Sequence, residues 1–270
     1  MADYVLIRKS RNIISSILHV LLNILLGVGS IVLTFLTDSW LVGLVLVLVS
    51  KWRIFAVRPR YWGVNLLSSL VDLIVGVSFV MIAYCSGGVS SDNGWIWIHT
   101  ILAISYCAWL IFLKPRSSEI ATETQAIIAI FLGTTAACFL FASSNSILLT
   151  ISCFLIGFAA ARHILVQSDD NNFGLLTCMC GLISAEVAWL ASPWLIIYTI
   201  DLKHVGIAVP QLSIILAVLF FLSSRVYKAG LLEDGDNGKI SFSEVSTPVI
   251  FSAIVIFVLL IWFSNPFFDY

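Results

Sequence analysis

Long apolar runs set the terms on which this chain can fold. A helix that crosses a bilayer needs roughly 20 mainly apolar residues. Nine stretches approach or exceed that length: Ile13–Phe35, Trp40–Val57, Trp62–Cys85, Trp95–Leu113, Ile120–Phe141, Ile147–Val166, Phe173–Ile200, Gly206–Ser224 and Thr247–Phe263. None alternates strictly between apolar and polar positions, so the pattern predicts helices and not the strands of a closed barrel. The second stretch is the weakest. Its uninterrupted apolar core is Leu41–Val49, and it crosses only if Lys51 and Arg53 lay their stems along the helix with their charges at the interface.

Composition removes the other classes. Apolar residues make up 60% of the 270 and charged residues 11%, with a mean hydropathy of +1.05. A soluble domain is about half apolar and about a quarter charged. This sequence cannot clothe a water-facing surface, which excludes a soluble enzyme and a disordered chain. A net charge of −1 excludes a nucleic-acid binder. The expected fold is all-α, a polytopic transmembrane helix bundle of about nine spans in a plasma or inner membrane.

Lysine and arginine set the orientation. With the N-terminus cytoplasmic and nine alternating spans, thirteen of the fourteen basic residues fall inside and Lys203 alone falls outside. Omitting the second span inverts every later helix and destroys that bias. The expected topology is therefore N-terminus inside and C-terminus outside. Trp40, Trp95, Trp97, Trp194 and Trp262 near outer ends, with Trp52 and Trp62 near inner ends, form the expected aromatic belt. The first apolar run is too long for a cleaved signal peptide and lacks the small-residue cleavage pattern. The six cysteines lie in or beside spans with no C-x-x-C pair. They predict packing, with neither a disulfide framework nor a zinc site.

A tandem duplication is a second expectation. With a shift of 114, Asp72 falls on Glu186, Ser78 on Ser192, Tyr84 on Tyr198 and Lys114 on Lys228. Slightly smaller shifts bring Gly27 onto Gly133, His19 onto Gln125 and Arg53 onto Arg162. Trp62–Lys114 has seven identities in 53 positions, so the weight rests on rare polar residues matching at equal depth. Two parallel four-helix repeats then occupy residues 1–118 and 119–230. Residues 231–270 hold an acidic cytoplasmic loop and a ninth helix.

The polar residues at membrane depth are the candidate functional positions. Asp72 lies ten residues into a 24-residue run, near mid-bilayer, where an ionised Asp costs roughly 2.5–3.5 kcal/mol. Asn65, Ser69, Asp72, Gly76 and Ala83 draw one small, polar stripe down that helix. The stripe is either a close helix–helix contact or the wall of a proton or cation path. Glu186 has a similar depth, among small residues and seven positions before Pro193, and reads as either a pathway wall or a packed kink. His19 and Asn23 are four apart and share a face. They suit a proton relay or a polar head group, or bonds to neighbouring helices. Glu119 and Glu123 open the fifth helix, where acids suit the positive helix end. The stretch Glu233–Glu244 resembles a calcium EF-hand loop, with Glu233, Asn237 and Glu244 as its oxygen donors. Gly235 stands where such a loop needs a ligand, so an acidic turn is the stronger reading and no metal site is expected.

No catalytic constellation or cofactor motif appears, which argues against an enzyme and implies no cofactor. Three classes stay open. The first is a small-solute transporter or permease with Asp72 and Glu186 as proton or cation sites. The second is a non-catalytic membrane subunit or scaffold of an envelope complex, with a membrane-protein partner or a second copy on its polar stripe. The third is a lipid-handling membrane protein. A transporter needs a cavity reaching the acids. A scaffold needs a packed interior and a face left for a partner. A lipid enzyme needs a cleft open to the membrane.

Overall fold

The structure is a computed structural model that describes residues 2–54, 56–86, 94–142, 144–166, 172–202, 205–233 and 242–262. The described residues form helices α1 (Ala2–Thr37), α2 (Trp40–Ser50), α3 (Trp62–Ser68), α4 (Leu70–Ser86) and α5 (Gly94–Ala108). They continue with α6 (Glu119–Phe141), α7 (Ser146–Leu165), α8 (Phe173–Ala191), α9 (Gln211–Glu233) and α10 (Phe242–Trp262). Strands β1 (Ile197–Leu202) and β2 (Val205–Pro210) pair between α8 and α9.

Among the described residues, six helical segments are long and apolar enough to cross a membrane: Ile17–Thr37, Ile96–Leu113, Glu119–Phe141, Ser146–Leu165, Phe173–Trp194 and Gln211–Gly230. The pair α3–α4 makes a seventh if its two parts count as one, while α2 and Val245–Leu259 are shorter apolar helices. The chain is a multi-pass, helical membrane protein. The second and third expected spans thus emerge short or broken, for local reasons.

The second span stops at Ser50, where the Lys51 N–H turns back to the Leu48 and Val49 carbonyls and a 3-10 turn follows. The third is not one helix of 24 residues. Pro59 disfavours helical backbone at the residue before it and opens a 3-10 turn, while the Trp62 indole N–H ties back to the Val57 carbonyl at 2.8 Å. The Ser68 and Ser69 hydroxyls then donate to the Asn65 and Leu66 carbonyls. Serines that do this compete with the helix backbone. The axis bends by 66° between Pro59–Ser68 and Leu70–Ser86.

The seventh expected span also ends early. Pro193 sits in a 3-10 turn that closes α8 at Ala191. The following Ile-Tyr-Thr-Ile run suits a pleated strand and forms β1. Among the described residues, this hairpin departs from the expected all-α fold.

The molecule divides into two compact units, Met1–Ala121 with Ile200–Ile207, and Thr122–Thr199 with Ala208–Tyr270. In the first, α1 packs on α2, α4 and α5 around Ile31, Val47, Val75, Val80 and Tyr106. In the second, α7 and α8 form a close hairpin, and α10 packs on α9 with Phe251 edge-on to Phe221. Small side chains dominate that core, including Ala126, Ala129, Ala159 and Ala160. They let helix backbones approach, as membrane helices do in the absence of a hydrophobic drive between them.

Candidate functional site

Asp72 lies in the first turn of α4, because the break at Ser69 moves the start of the helix to Leu70. It therefore sits beside the bend at the start of a helix and not within one continuous helix. Two lysines from neighbouring elements converge on Asp72 Oδ2. Lys51, just past the end of α2, makes one ion pair, and Lys114 makes the other at 2.9 Å. The indole N–H of Trp109 donates to Oδ1 at 3.2 Å. Trp109 begins a π-helical turn, Trp109–Leu113, that continues α5. Such wide turns occur at functional or strained positions within helices. Here it ends at Lys114, whose N–H bonds the Trp109 carbonyl at 2.9 Å.

Lys51 and Asp72 are largely covered, at 11% and 16% side-chain exposure, and Lys114 is at 35%. Two amines share one carboxylate, so the cluster carries a full surplus positive charge only where both are protonated. Burial, with the adjacent Lys114 ammonium, brings Lys51 down from 10.5 to about 7. Burial also lowers Lys114.

The stripe predicted through Asp72 is cut by the bend. Gly76 and Ala83 continue below Asp72 on the buried face of α4, with Gly76 close against Tyr106 and Val47. Asn65 sits on α3, half-buried, on the other side of the break.

The second unit builds a similar cluster around a residue that sequence reasoning set aside. Glu123 of α6 is 4% exposed. Its Oε1 accepts from the Ser224 hydroxyl at 2.9 Å and pairs with Arg225 at 3.1 Å, and its Oε2 pairs with Lys228 at 2.9 Å. The three partners lie on α9. Two residues on along α6, Gln125 Oε1 accepts from the His163 ring N–H of α7 at 2.8 Å. The signal that points to Glu123 was present. Ser224 and Lys228 are four apart, share a helix face, and fall on the same predicted membrane side as Glu123.

Glu186 has different surroundings. It is exposed on α8, flanked on the same face by exposed Leu182 and Trp189. The described residues bring it no ion-pair partner. It follows Phe173 by 13 residues, roughly 20 Å along the helix, so it stands well inside a segment long enough to cross a membrane. Of the positions matched by the shift of 114, Lys114 and Lys228 have equivalent roles, each holding a carboxylate, whereas Asp72 and Glu186 do not.

His19 and Asn23 share a face of α1 and bond to each other, the Asn23 amide donating to His19 Nδ1 at 3.2 Å. His19 is exposed and Asn23 half-buried. The calcium-loop lookalike falls outside the described residues at Asn237, and nothing is described of the side chains of Glu233 and Glu244. Among the described residues no group of three or more His, Cys, Asp or Glu side chains is placed to hold a metal ion.

A groove in the first unit completes the geometry. It lies between α1 and α5, has a volume of about 640 Å³ and is almost wholly apolar. Asp72 is not among its lining residues. No family model, curated protein or solved structure matches this chain, so what is known of its chemistry rests on these clusters and this groove.

Proposed function

We propose that the chain is a non-catalytic subunit of a membrane complex, and that the α8 face bearing Glu186 receives a partner helix. The carrying observation is the exposed carboxylate of Glu186 within a membrane-crossing helix. Left in lipid, an ionised Asp or Glu costs a few kcal/mol, and such residues face other protein or water. Asp72 and Glu123 are neutralised inside their own units, whereas Glu186 faces outward. A partner of matching chemistry supplies a Lys, an Arg or a hydrogen-bond donor at that depth.

The same reading takes nine spans in two tandem four-helix repeats plus one, with the N-terminus cytoplasmic and the C-terminus outside. That topology is supported by the lysine and arginine bias. The alternative, a transporter with Asp72 and Glu186 walling one proton or cation path, draws no support from their surroundings. One carboxylate is held by two lysines and the other opens outward.

Photo-crosslinking tests the proposal. A photoreactive residue at Leu182 or Trp189 should give an adduct with a second polypeptide in intact membranes. The same residue at Ile151 or Leu155, exposed apolar positions of α7, should not. Glu186→Leu should abolish the adduct. Equal yields from the α7 and α8 positions would sink the proposal.

A further inference from the structure

The α1–α5 groove is open along one side and lined by residues such as Ile24, Val28 and Val32 of α1 and Ala103, Ile104 and Ile111 of the α5 segment. Its two polar lining residues are already bonded within the unit. The Thr100 hydroxyl donates to the Ile96 carbonyl at 2.7 Å, and the His99 ring N–H to the Ala83 carbonyl at 3.0 Å. The groove thus presents apolar surface to whatever fills it. Both walls belong to helices able to cross a membrane, so the surrounding medium is acyl chain. From Ile24 to Phe35 the groove follows eleven residues of α1, roughly 16 Å, and from Ile96 to Phe112 it follows sixteen of the α5 segment, roughly 24 Å, within a ~30 Å hydrocarbon core.

One end of the groove is basic. Its α5 wall runs through Phe112 to Lys114 and Arg116, both beyond the π-helical turn. Lys114 and Lys51 share the single carboxylate of Asp72, so that cluster brings no net negative charge to this end. Arg58 and Arg60 are exposed in the turn before α3, with exposed Trp52, Tyr61 and Trp62 beside them in the chain. The Arg60 guanidinium lies over the Tyr61 ring at 4.6 Å. Glu119 is the acid exposed on the other side of Arg116 in the chain. Cations mixed with aromatics mark a membrane interface, and basic groups there attract anionic lipid heads. On the α1 wall, the hydrogen-bonded His19–Asn23 pair stands next to Ile24 at the same end.

We infer that this groove and its basic end form a binding site for an anionic phospholipid, with one acyl chain between α1 and α5 and the phosphate beside Lys114 and Arg116. The groove sets the chain's depth, and the charge selects the head group. A zwitterionic lipid fits the groove equally well but lacks the net charge that these basic side chains attract. The site belongs to the first unit and does not depend on the α8 face.

The full chain in detergent, exchanged with phosphatidylglycerol or phosphatidylcholine of identical acyl chains, provides the test by native mass spectrometry. Phosphatidylglycerol should be retained several-fold over phosphatidylcholine. Ala103→Phe, which fills the groove, should lower retention of both lipids. Arg116→Gln should bring phosphatidylglycerol down to the level of phosphatidylcholine. Melting in lipid-free detergent checks that each variant folds; Ile104→Phe and Arg60→Gln replace any that does not. Equal retention of the two lipids, or a folded groove variant with undiminished phosphatidylglycerol, would overturn the inference. Displacement of phosphatidylglycerol by inorganic phosphate would also overturn it, because that outcome identifies a free-anion site.

Discussion

Each unit closes over one carboxylate held by two cations, but the deep member of the cluster differs. Around Asp72 a lysine is deep: Lys51 is 11% exposed, hardly more open than many core side chains. Around Glu123 the acid is deep at 4%, while Arg225 and Lys228 are 43% and 30% exposed. Long side chains on α9 lend Glu123 their charge while staying in contact with the interface. The first unit has no such freedom, because Lys51 follows directly on the short helix α2. The same charge inventory therefore leaves a covered surplus basic group in one unit and an open one in the other.

The largest effect expected from this difference is on Asp72. Asp72→Leu strands Lys51 in a covered site, and breaking a buried pair in this way costs about 3–5 kcal/mol, measurable as lost thermal stability in detergent. Glu123→Leu leaves cations that can turn outward, so its cost should be nearer the ~1–3 kcal/mol of a lost charged hydrogen bond. Equal losses would remove the distinction between the units. The pH dependence sharpens it. Lys51 is about 7 in the folded chain against 10.5 ordinarily. Between those values the unfolded chain binds more protons, so stability should rise with pH through that window. Its contribution is least favourable below about pH 7. In Lys51→Met the rise should flatten, and a wild-type melting temperature that falls from pH 7 to 10 would refute the assignment.

A smaller effect concerns close packing within the second unit, to which both α7 and α8 belong. A side chain at Gly157 of α7 would run into Ser184 and the Cys180 carbonyl of α8, whereas one at Gly174 meets nothing. Gly157→Val should cost about 1–3 kcal/mol through overpacking, and Gly174→Val little, both read by thermal melts. Similar losses at the two positions would mean that the α7–α8 hairpin is not held by close approach.

The smallest expected change is Trp109→Phe, which removes one neutral donor from Asp72. A loss of about 0.5–1.5 kcal/mol follows from the usual net worth of such a bond. A loss comparable to that of Asp72→Leu would make the indole, and not the lysines, the main support of the carboxylate.

Much of the fold is legible in the residues. The α5 segment, α6 and α7 fall close to the apolar runs, because in lipid the backbone must satisfy itself and a run of that length has few other solutions. The errors cluster where short-range chemistry competes with hydropathy. Ser68 and Ser69 look neutral in an apolar run, yet their hydroxyls take up backbone carbonyls and the helix bends there. Pro193 was expected to loosen a continuing helix, and instead α8 ends before it and a strand follows. The sites were harder to read. Asp72 stands out in the sequence as one position on a continuous polar stripe, and the bend cuts that stripe and places it at a helix start. Glu123 was assigned to the helix dipole, and its partners arrive from α9, a hundred residues away in sequence.

By itself the sequence determined the solvent. Its apolar run lengths and scarcity of charge require a bilayer, and therefore helices that cross it more than once, because no other surface is compatible with such a composition. The polar residues that lie on one helix face, such as His19 with Asn23, also follow from spacing. Which charges meet is different. Asp72 finds Lys51 and Lys114, and Glu123 finds Arg225 and Lys228, only through the packing of helices that are distant in the chain. Tertiary structure decided those pairings because an ion pair depends on a few ångströms between side chains, whereas hydropathy specifies only the depth of each helix in the membrane and leaves its rotation and neighbours open.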